Sequence, residues 1–502
     1  MPPAAGSSTT SPASPARFTR LQIVILAVGI AAAVLVSAIA IPFLLPSHGK
    51  STSGTPKACT GCSPVLVSIS PASVKLGFGQ QQDFRALAWN QSGAVIPSGV
   101  TYSWIVSPGA LGALNATSGE TVQFTSGTSN LTGNLTVTAT GNSESKSANV
   151  SIIVTAKEVS CSVPAGLTLN GAGSTLVAPL MNAWALAYTN STVNYLAEGS
   201  GAGITDIIEK TIDFGATDAP LSPSEVATEP APGLLTFPES AGAVVPIYNL
   251  PSVSNPLKFT GQILAGIYLG DITNWNNSAL QAVNPGVVLP NATIVAVHRS
   301  DASGTTFVWS SYLSKSNATW NSTVGRGLSL FWPSVGVGAK GSSGMTEAVQ
   351  SMPDSIGYVD LSYALSDAIT YGAVQNPAGN YILADLADTE SALSDARVLF
   401  PTPGGTWYNV SVLDAPGPGD YPIVTYTYVL VYSDLGEAYG SSYSMAHAQA
   451  LVDFLSWIVS AAGQSYSAPL FYAPISSSVI NYDLNVIDSV TYDGAALGAC
   501  AP

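Results

Sequence analysis

Between residues 64 and 156 apolar and polar positions alternate in short runs: "VLVSISP", "DFRALAW", "VTYSWIV", "ETVQFTS", "NLTVTAT" and "ANVSIIVTA", parted by turn-rich pieces. A period of two belongs to half-buried strands, so the spacing predicts a small antiparallel β-sandwich over 64–156, with Trp104 in its core on a central strand. From 165 to 500 the pattern changes. "MNAWALAY", "GITDIIEK", "FVWSSYLSK" and "HAQALVDFLSWIVSAAG" carry a helical period, while "TVNYLAE", "IDFGATD", "GAVVPIYN", "TIVAVHR", "SIGYVDL" and "TYTYVLVYS" read as strands. Strands interleaved with helices predict an α/β domain with largely parallel sheets. Its roughly 335 residues exceed one usual core, so two lobes are expected.

The N-terminal part follows a different pattern. Residues 21–45 form an uncharged apolar run of 25 residues, long enough to span a bilayer with some tilt. Ala38 and Ala40 make an A-x-A cleavage site, but the run continues past it, and an uncleaved transmembrane anchor is the preferred reading. Residues 1–20 are then a disordered cytoplasmic tail and 46–63 a polar linker.

Composition narrows the partners. Only 15 residues are Lys or Arg against 30 Asp or Glu, for a net charge of −15, and no basic stripe exists for nucleic acid. Sequons at Asn90, Asn115, Asn130, Asn134, Asn149, Asn190, Asn276, Asn291, Asn317, Asn321 and Asn409 all follow the anchor and fit an exported, glycosylated face. Four cysteines allow three connectivities. Cys161 and Cys500 bracket the α/β segment and are expected to pair, with Cys59 joined to Cys62 or left reduced. The scattered His48, His298 and His447 argue against a metal site.

Candidate chemistry sits where strand-like runs break into glycine and hydroxyl residues ahead of a helix. "LNGAGSTLVAPL" (169–180), "AEGSGAGITDII" (197–208), "IDFGATDAPLS" (212–222) and "HRSDASGTTF" (298–307) share this character. Helix starts present unpaired N–H groups and a partial positive charge, which suit an anion. Glycines permit the close backbone approach that a small tetrahedral oxyanion needs. Arg299 adds one full charge, with Asp301 placed to orient it. The "GAGST" stretch lacks the dinucleotide fingerprint, no Walker motif occurs, and no nucleophile–base set is visible. Asp218 and Asp301 as a general acid/base pair would lack both metal and nucleophile. These features point to a binding protein without catalytic residues, metal or cofactor.

Taken in order, "GAGSTLVAP", "EGSGAGI", "DFGATDAPLS", "GDITNWNNSALQAVNPGVVLP", "HRSDASGTTFVWSSYL" and "SIGYVDLSYA" resemble the substrate-binding protein of the high-affinity phosphate ABC transporter, over about 168–480. The resemblance implies the type II two-lobed periplasmic-binding-protein fold with phosphate held between the lobes. The anion would meet Thr175, the backbone at Leu176, Ser200 and Asp218 from one lobe. From the other it would meet Arg299, Asp301, Ser303, Gly304 and Thr305. The chain departs from the family's pattern in having Leu176 for Phe, Gly201 for a second Ser, and Ala302 for a Gly. The strand-rich module at 64–156 is similar to immunoglobulin-like domains of microbial surface proteins and is read as a spacer.

The whole reads as a single-pass membrane-anchored extracellular protein, of a Gram-positive or archaeal-type cell. It would capture phosphate and deliver it to the permease and ATPase subunits of an ABC importer. The alternatives are a binding protein for sulfate or molybdate, and a surface adhesin that has kept the fold. Hinges are expected near 245–250 and 420–426. Lobe one would then combine 165–247 with 424–500, and lobe two would be 248–423.

Overall fold

A computed structural model describes residues 63–497 apart from 78, 91–94, 97, 128–130, 155–165, 334, 335 and 397. The apolar run at 21–45, the linker and all four cysteines lie outside the described residues. Among those described, no helix is long and apolar enough to cross a membrane.

The first module is a sandwich of two four-stranded sheets. Strands β1 (Leu66–Ser70), β3 (Gln81–Trp89), β6 (Thr121–Ser126) and β5 (Gly112–Leu114) make one sheet in the order β1-β3-β6-β5. Strands β2 (Ser73–Leu76), β8 (Glu144–Val154), β7 (Leu131–Gly141) and β4 (Thr101–Ser107) make the other, in the order β2-β8-β7-β4. Alternate residues such as Phe84, Phe124, Leu135 and Ile152 close the core between them. Two expectations need correction. The sheets are not wholly antiparallel, since β2 runs parallel to β8. Trp104 is buried as expected, at 2% exposure, but β4 is an edge strand. The 115–120 loop folds over that edge: Trp104 N–H donates to the Thr117 carbonyl (2.9 Å) and its indole N–H to the Gly119 carbonyl (2.8 Å). Strand β7 flanks Trp104 on one side and the loop supplies the cover on the other.

The second module is α/β. An eight-stranded sheet runs β10-β9-β11-β19-β12-β16-β14-β15, formed by β9 (Thr168–Gly173), β10 (Thr192–Ala197), β11 (Phe214–Thr217), β12 (Leu234–Asn249), β14 (Val295–Arg299), β15 (Val337–Ala339), β16 (Ser355–Asp360) and β19 (Val424–Tyr432). A small sheet of β13 (Lys258–Phe259), β17 (Ala373–Gln375) and β18 (Tyr381–Ile382) accompanies it. Every residue of β19 and β16 is buried, as continuous apolar strands covered on both faces should be. Helices cover the sheet with apolar faces; in α1 (Ala178–Ala187), Leu180, Met181 and Trp184 are buried and the Trp184 indole donates to the Gly463 carbonyl at 2.8 Å. Each such side chain contributes on the order of 2 kcal/mol through removal of apolar area from water.

The main sheet is mixed: its outer pairings are parallel as expected, but the three central ones are antiparallel. Strand β19 is antiparallel to both β11 and β12, and β12 is antiparallel to β16. Local periodicity reports burial and carries no sign of strand direction, so this could not be read from the pattern. The consequence for function is direct. Strand β12 pairs with β19 up to Ala243 and with β16 from Val244 onward. The carboxyl end of β11 comes level with the middle of β12 through Tyr428 and Pro238, and the carboxyl end of β16 lies opposite Val244. Two sets of strands, running in opposite directions, therefore aim their carboxyl ends at one line across the sheet. Ligands of open α/β sheets bind outside such ends, where the strand order reverses.

Candidate functional site

Each candidate residue sits where a strand stops and a helix starts along that line. Ser174, Thr175 and Leu176 connect β9 to α1. Ser200 opens α2 (Ser200–Ile208), and Asp218 follows β11. Facing them, Arg299 ends β14, Ser303 caps α3 (Gly304–Ser316) by accepting the Thr306 N–H at 3.1 Å, and Gly304 and Thr305 form its first turn. Thr175, Leu176, Ser200, Asp218, Arg299, Ser303, Gly304 and Thr305 are all buried, and Asp301 is half-buried. The two sides are closed on each other.

On the first side the hydrogen bonds converge on Asp218. Ser174 Oγ donates to its Oδ1 at 2.5 Å and Ser200 Oγ to its Oδ2 at 3.5 Å, while the Asp218 N–H donates to Ser200 Oγ at 3.2 Å. The N–H groups of Leu176 and Val177 donate to Ser174 Oγ, at 3.0 and 3.4 Å. Asp218 does not cap the turn that follows it; Thr217 does, its Oγ1 accepting the Ala219 N–H at 3.0 Å. Burial pushes the Asp218 carboxyl up to about 6, against the pull of Ser174 and of the Arg299 charge.

On the second side Arg299 is only 4% exposed and grips Asp301 with two parallel bonds, Nε to Oδ1 at 2.7 Å and Nη2 to Oδ2. Burial alone would raise Asp301, but the Arg299 bonds and charge and the Gly341 N–H (3.1 Å) hold it below the ordinary carboxylate range. The Arg299 backbone N–H donates to Tyr358 Oη at 3.2 Å, and Tyr358 stacks on Trp309 with ring centres 5.1 Å apart. The arginine is thus fixed by a carboxylate and by an aromatic wall. Thr305 Oγ1 is buried without a hydrogen-bond partner and remains available to a ligand.

Contacts across the cleft are close. A Cβ on Gly304 would fall 2.4 Å from Ser200 Oγ and 2.6 Å from Asp218 Oδ2, so only glycine lets α3 approach Asp218 this nearly. Thr175 Oγ1 bonds Ser342 Oγ at 3.0 Å and accepts the Ser342 N–H at 3.2 Å, where Ser342 lies in the first turn of α4 (Gly341–Ser351). The "GSSGMTE" stretch that places Ser342 carries the same glycine-and-serine helix start as the other four stretches. Glu239 carries no comparable signal in the sequence. It sits at a register shift in β12, fully buried, accepting from Thr427 Oγ1 at 3.1 Å; burial pushes it up to about 8. A cavity of about 300 Å³ lies elsewhere, between the sandwich and the α/β module, and holds none of these residues.

Charge at the site is nearly balanced. Arg299 and Asp301 neutralise each other, and the remaining groups are hydroxyls, N–H dipoles and one carboxylate of raised pKa. Such a set can bind a small oxyanion through many neutral donors and one shared cation, and it offers no activated nucleophile.

A family model described as a PBP superfamily domain matches residues 126–462. The chain is 38% identical over 316 residues to a phosphate-binding protein PstS of Xylella fastidiosa, spanning 62% of this chain and 82% of that protein. It is 31% identical over 344 residues to a phosphate-binding protein PstS of Methanocaldococcus jannaschii, spanning 65% and 87%. Among solved structures, a high affinity periplasmic phosphate-binding protein bound with phosphate superposes with a TM-score of 0.53 at 19% identity, covering 65% of this chain and 99% of that one. At that identity the likeness speaks for the fold alone.

Proposed function

Because the chain belongs to the PBP superfamily and, within it, to the PstS phosphate-binding proteins, we propose that it captures inorganic phosphate outside the cell and delivers it to an ABC importer. The observation that carries this reading is the closed cleft, where Thr175, Ser200 and Asp218 meet Arg299, Ser303, Gly304 and Thr305 in one buried polar cluster. In this reading Arg299 supplies charge, and Thr305 and the Ser303–Gly304 backbone supply donors at a helix start. The Leu176 backbone and Thr175 donate from the other lobe, and Asp218 accepts the proton that phosphate retains. The two halves are lobes that part about the middle of β12 and the start of β19. The relatives are named as phosphate-binding proteins, which supports a binding role.

Titration of the purified protein with phosphate and with sulfate tests the assignment. Phosphate is expected to bind one to one and sulfate far more weakly; equal binding of both, or tighter binding of sulfate, would overturn it. In the same reading, residues 21–45 anchor the chain in the membrane with its C-terminal domains outside, and the immunoglobulin-like sandwich is a spacer. The native chain should then sediment with membranes and resist alkaline extraction, while a chain lacking 21–45 should be released. A native chain found wholly in the soluble fraction would remove the anchor.

A further inference from the structure

Gly201 and Ala302 face each other across the cleft, one on the first turn of α2 and the other between Arg299 and α3. The Gly201 N–H donates to the Ala302 carbonyl at 2.9 Å. A Cβ built on Gly201 falls 2.3 Å from the Ala302 Cβ, far inside the contact distance of two carbons. The neighbouring glycine repeats the fit: a Cβ on Gly199 would lie 2.6 Å from Asp301 Oδ2 and 3.0 Å from the Ala302 carbonyl oxygen. Neither obstacle can turn aside. The Ala302 methyl has no rotamer to change, and Asp301 is held by Arg299 and the Gly341 N–H.

We propose that Gly201 and Ala302 are a matched pair that sets how far the lobes close, the Ala302 methyl occupying the space left by the absent Gly201 side chain. Residue 201 adjoins Ser200, and residue 302 lies between Asp301 and Ser303. The pair therefore fixes the distance between the two sets of groups that meet the anion. Both are positioning residues. Neither side chain has a polar atom to offer the ligand.

The inference rests on the phosphate reading for its main readout. In Gly201→Ser the Cβ cannot be accommodated unless the loops separate, which lengthens the contacts across the cleft. Overpacking of this kind should weaken phosphate binding about 10- to 100-fold. The loss should fall on dissociation, because association begins from the open form, where the two residues are apart. Ala302→Gly alone should change affinity by less than about threefold, and Gly201→Ser combined with Ala302→Gly should return to within about threefold of native.

The test is calorimetry of the four full-length proteins with phosphate, with far-ultraviolet circular dichroism as the folding control. Amide exchange of segment 299–306 is followed with and without phosphate. Faster exchange in Gly201→Ser, reversed in the double variant, is expected. Phosphate binding by Gly201→Ser equal to native, or a loss that Ala302→Gly does not restore, overturns the pairing. A native protein that takes up no phosphate overturns the ligand reading instead, and the exchange data then decide the pair by themselves.

Discussion

Replacing Arg299 by alanine is expected to weaken phosphate binding by about two to three orders of magnitude, and any residual sulfate binding by a similar factor. Arg299 is the cation at the centre of the cleft and is almost wholly buried. Arg326, which lines a small cavity beside Asp218, is committed to the rings of Tyr408 and Phe307, 4.7 and 5.5 Å from their centres. Truncating one member of a buried, hydrogen-bonded charge pair costs about 2–5 kcal/mol, and each 1.4 kcal/mol is tenfold in affinity. Part of that cost belongs to Asp301, which would keep the Gly341 N–H but lose both bonds to the guanidinium. Arg299→Ala combined with Asp301→Ala separates the two contributions: if stranding of Asp301 is the larger, the double variant binds better than the single one. Arg299→Lys keeps the charge without the planar fork and should fall between native and alanine. Isothermal titration of the three variants checks the ranking. An Arg299→Ala protein that binds phosphate as the native does would remove the arginine from the site.

The strand-to-helix turns of the candidate site are legible where glycine and hydroxyl residues are consecutive. Glycine followed by Ser or Thr at the end of an apolar run is a local signal of a strand breaking into a helix start, which is where the structure places Thr175, Ser200 and the Ser303–Thr305 turn. Asp218 was legible for the same reason, as the residue that ends "DFGATD". What stayed hidden depends on register across the fold. Glu239 reaches Thr427 because β12 slips by one residue between Pro238 and Ser240, and nothing in "FPESAG" announces that slip. Ser342 meets Thr175 although 167 positions separate them. The fit of Gly201 to Ala302 is likewise visible only once the lobes are placed together. Strand direction was hidden too: β12 and β19 read as ordinary apolar strands, and only their pairing shows that they carry the chain across the middle of the sheet.

Asp218→Asn is expected to erase discrimination between phosphate and sulfate, and the effect should depend on pH in a defined sense. Phosphate keeps at least one proton through the neutral range, whereas sulfate carries none. Oδ1 of Asp218 is taken by Ser174, while Oδ2 receives a long 3.5 Å bond from Ser200 and lies near Gly304 at the start of α3, and the Thr427 hydroxyl also bears on the carboxyl. An ionised Oδ2 there accepts the ligand's proton from phosphate but faces only lone pairs on sulfate, a repulsive contact between two buried acceptors. Sites built around such a bond reject the ligand lacking it by on the order of 10⁴-fold. Burial in the closed cleft pushes the Asp218 carboxyl up from its ordinary 3.8 to about 6. Below that pH it holds a proton and can donate to sulfate, so selectivity should shrink as pH falls through about 6. An asparagine amide always has an N–H to offer, so the variant should show low selectivity that does not change over the same window.

Stability supplies an independent check of the same group. A carboxyl whose folded pKa is raised binds protons more tightly folded than unfolded, so stability is lost as pH rises from about 4 to about 6 and is level above that. Glu239, Asp360 and Asp483 are also raised by burial and contribute in the same sense. The difference between native and Asp218→Asn in ligand-free unfolding isolates Asp218: the gap should move in favour of the variant between pH 4 and 6 and stay constant beyond. Calorimetry with both anions at pH 5 and pH 8 completes the test. An Asp218→Asn protein that keeps full phosphate preference at pH 8 would show that the carboxylate is not the element that turns sulfate away.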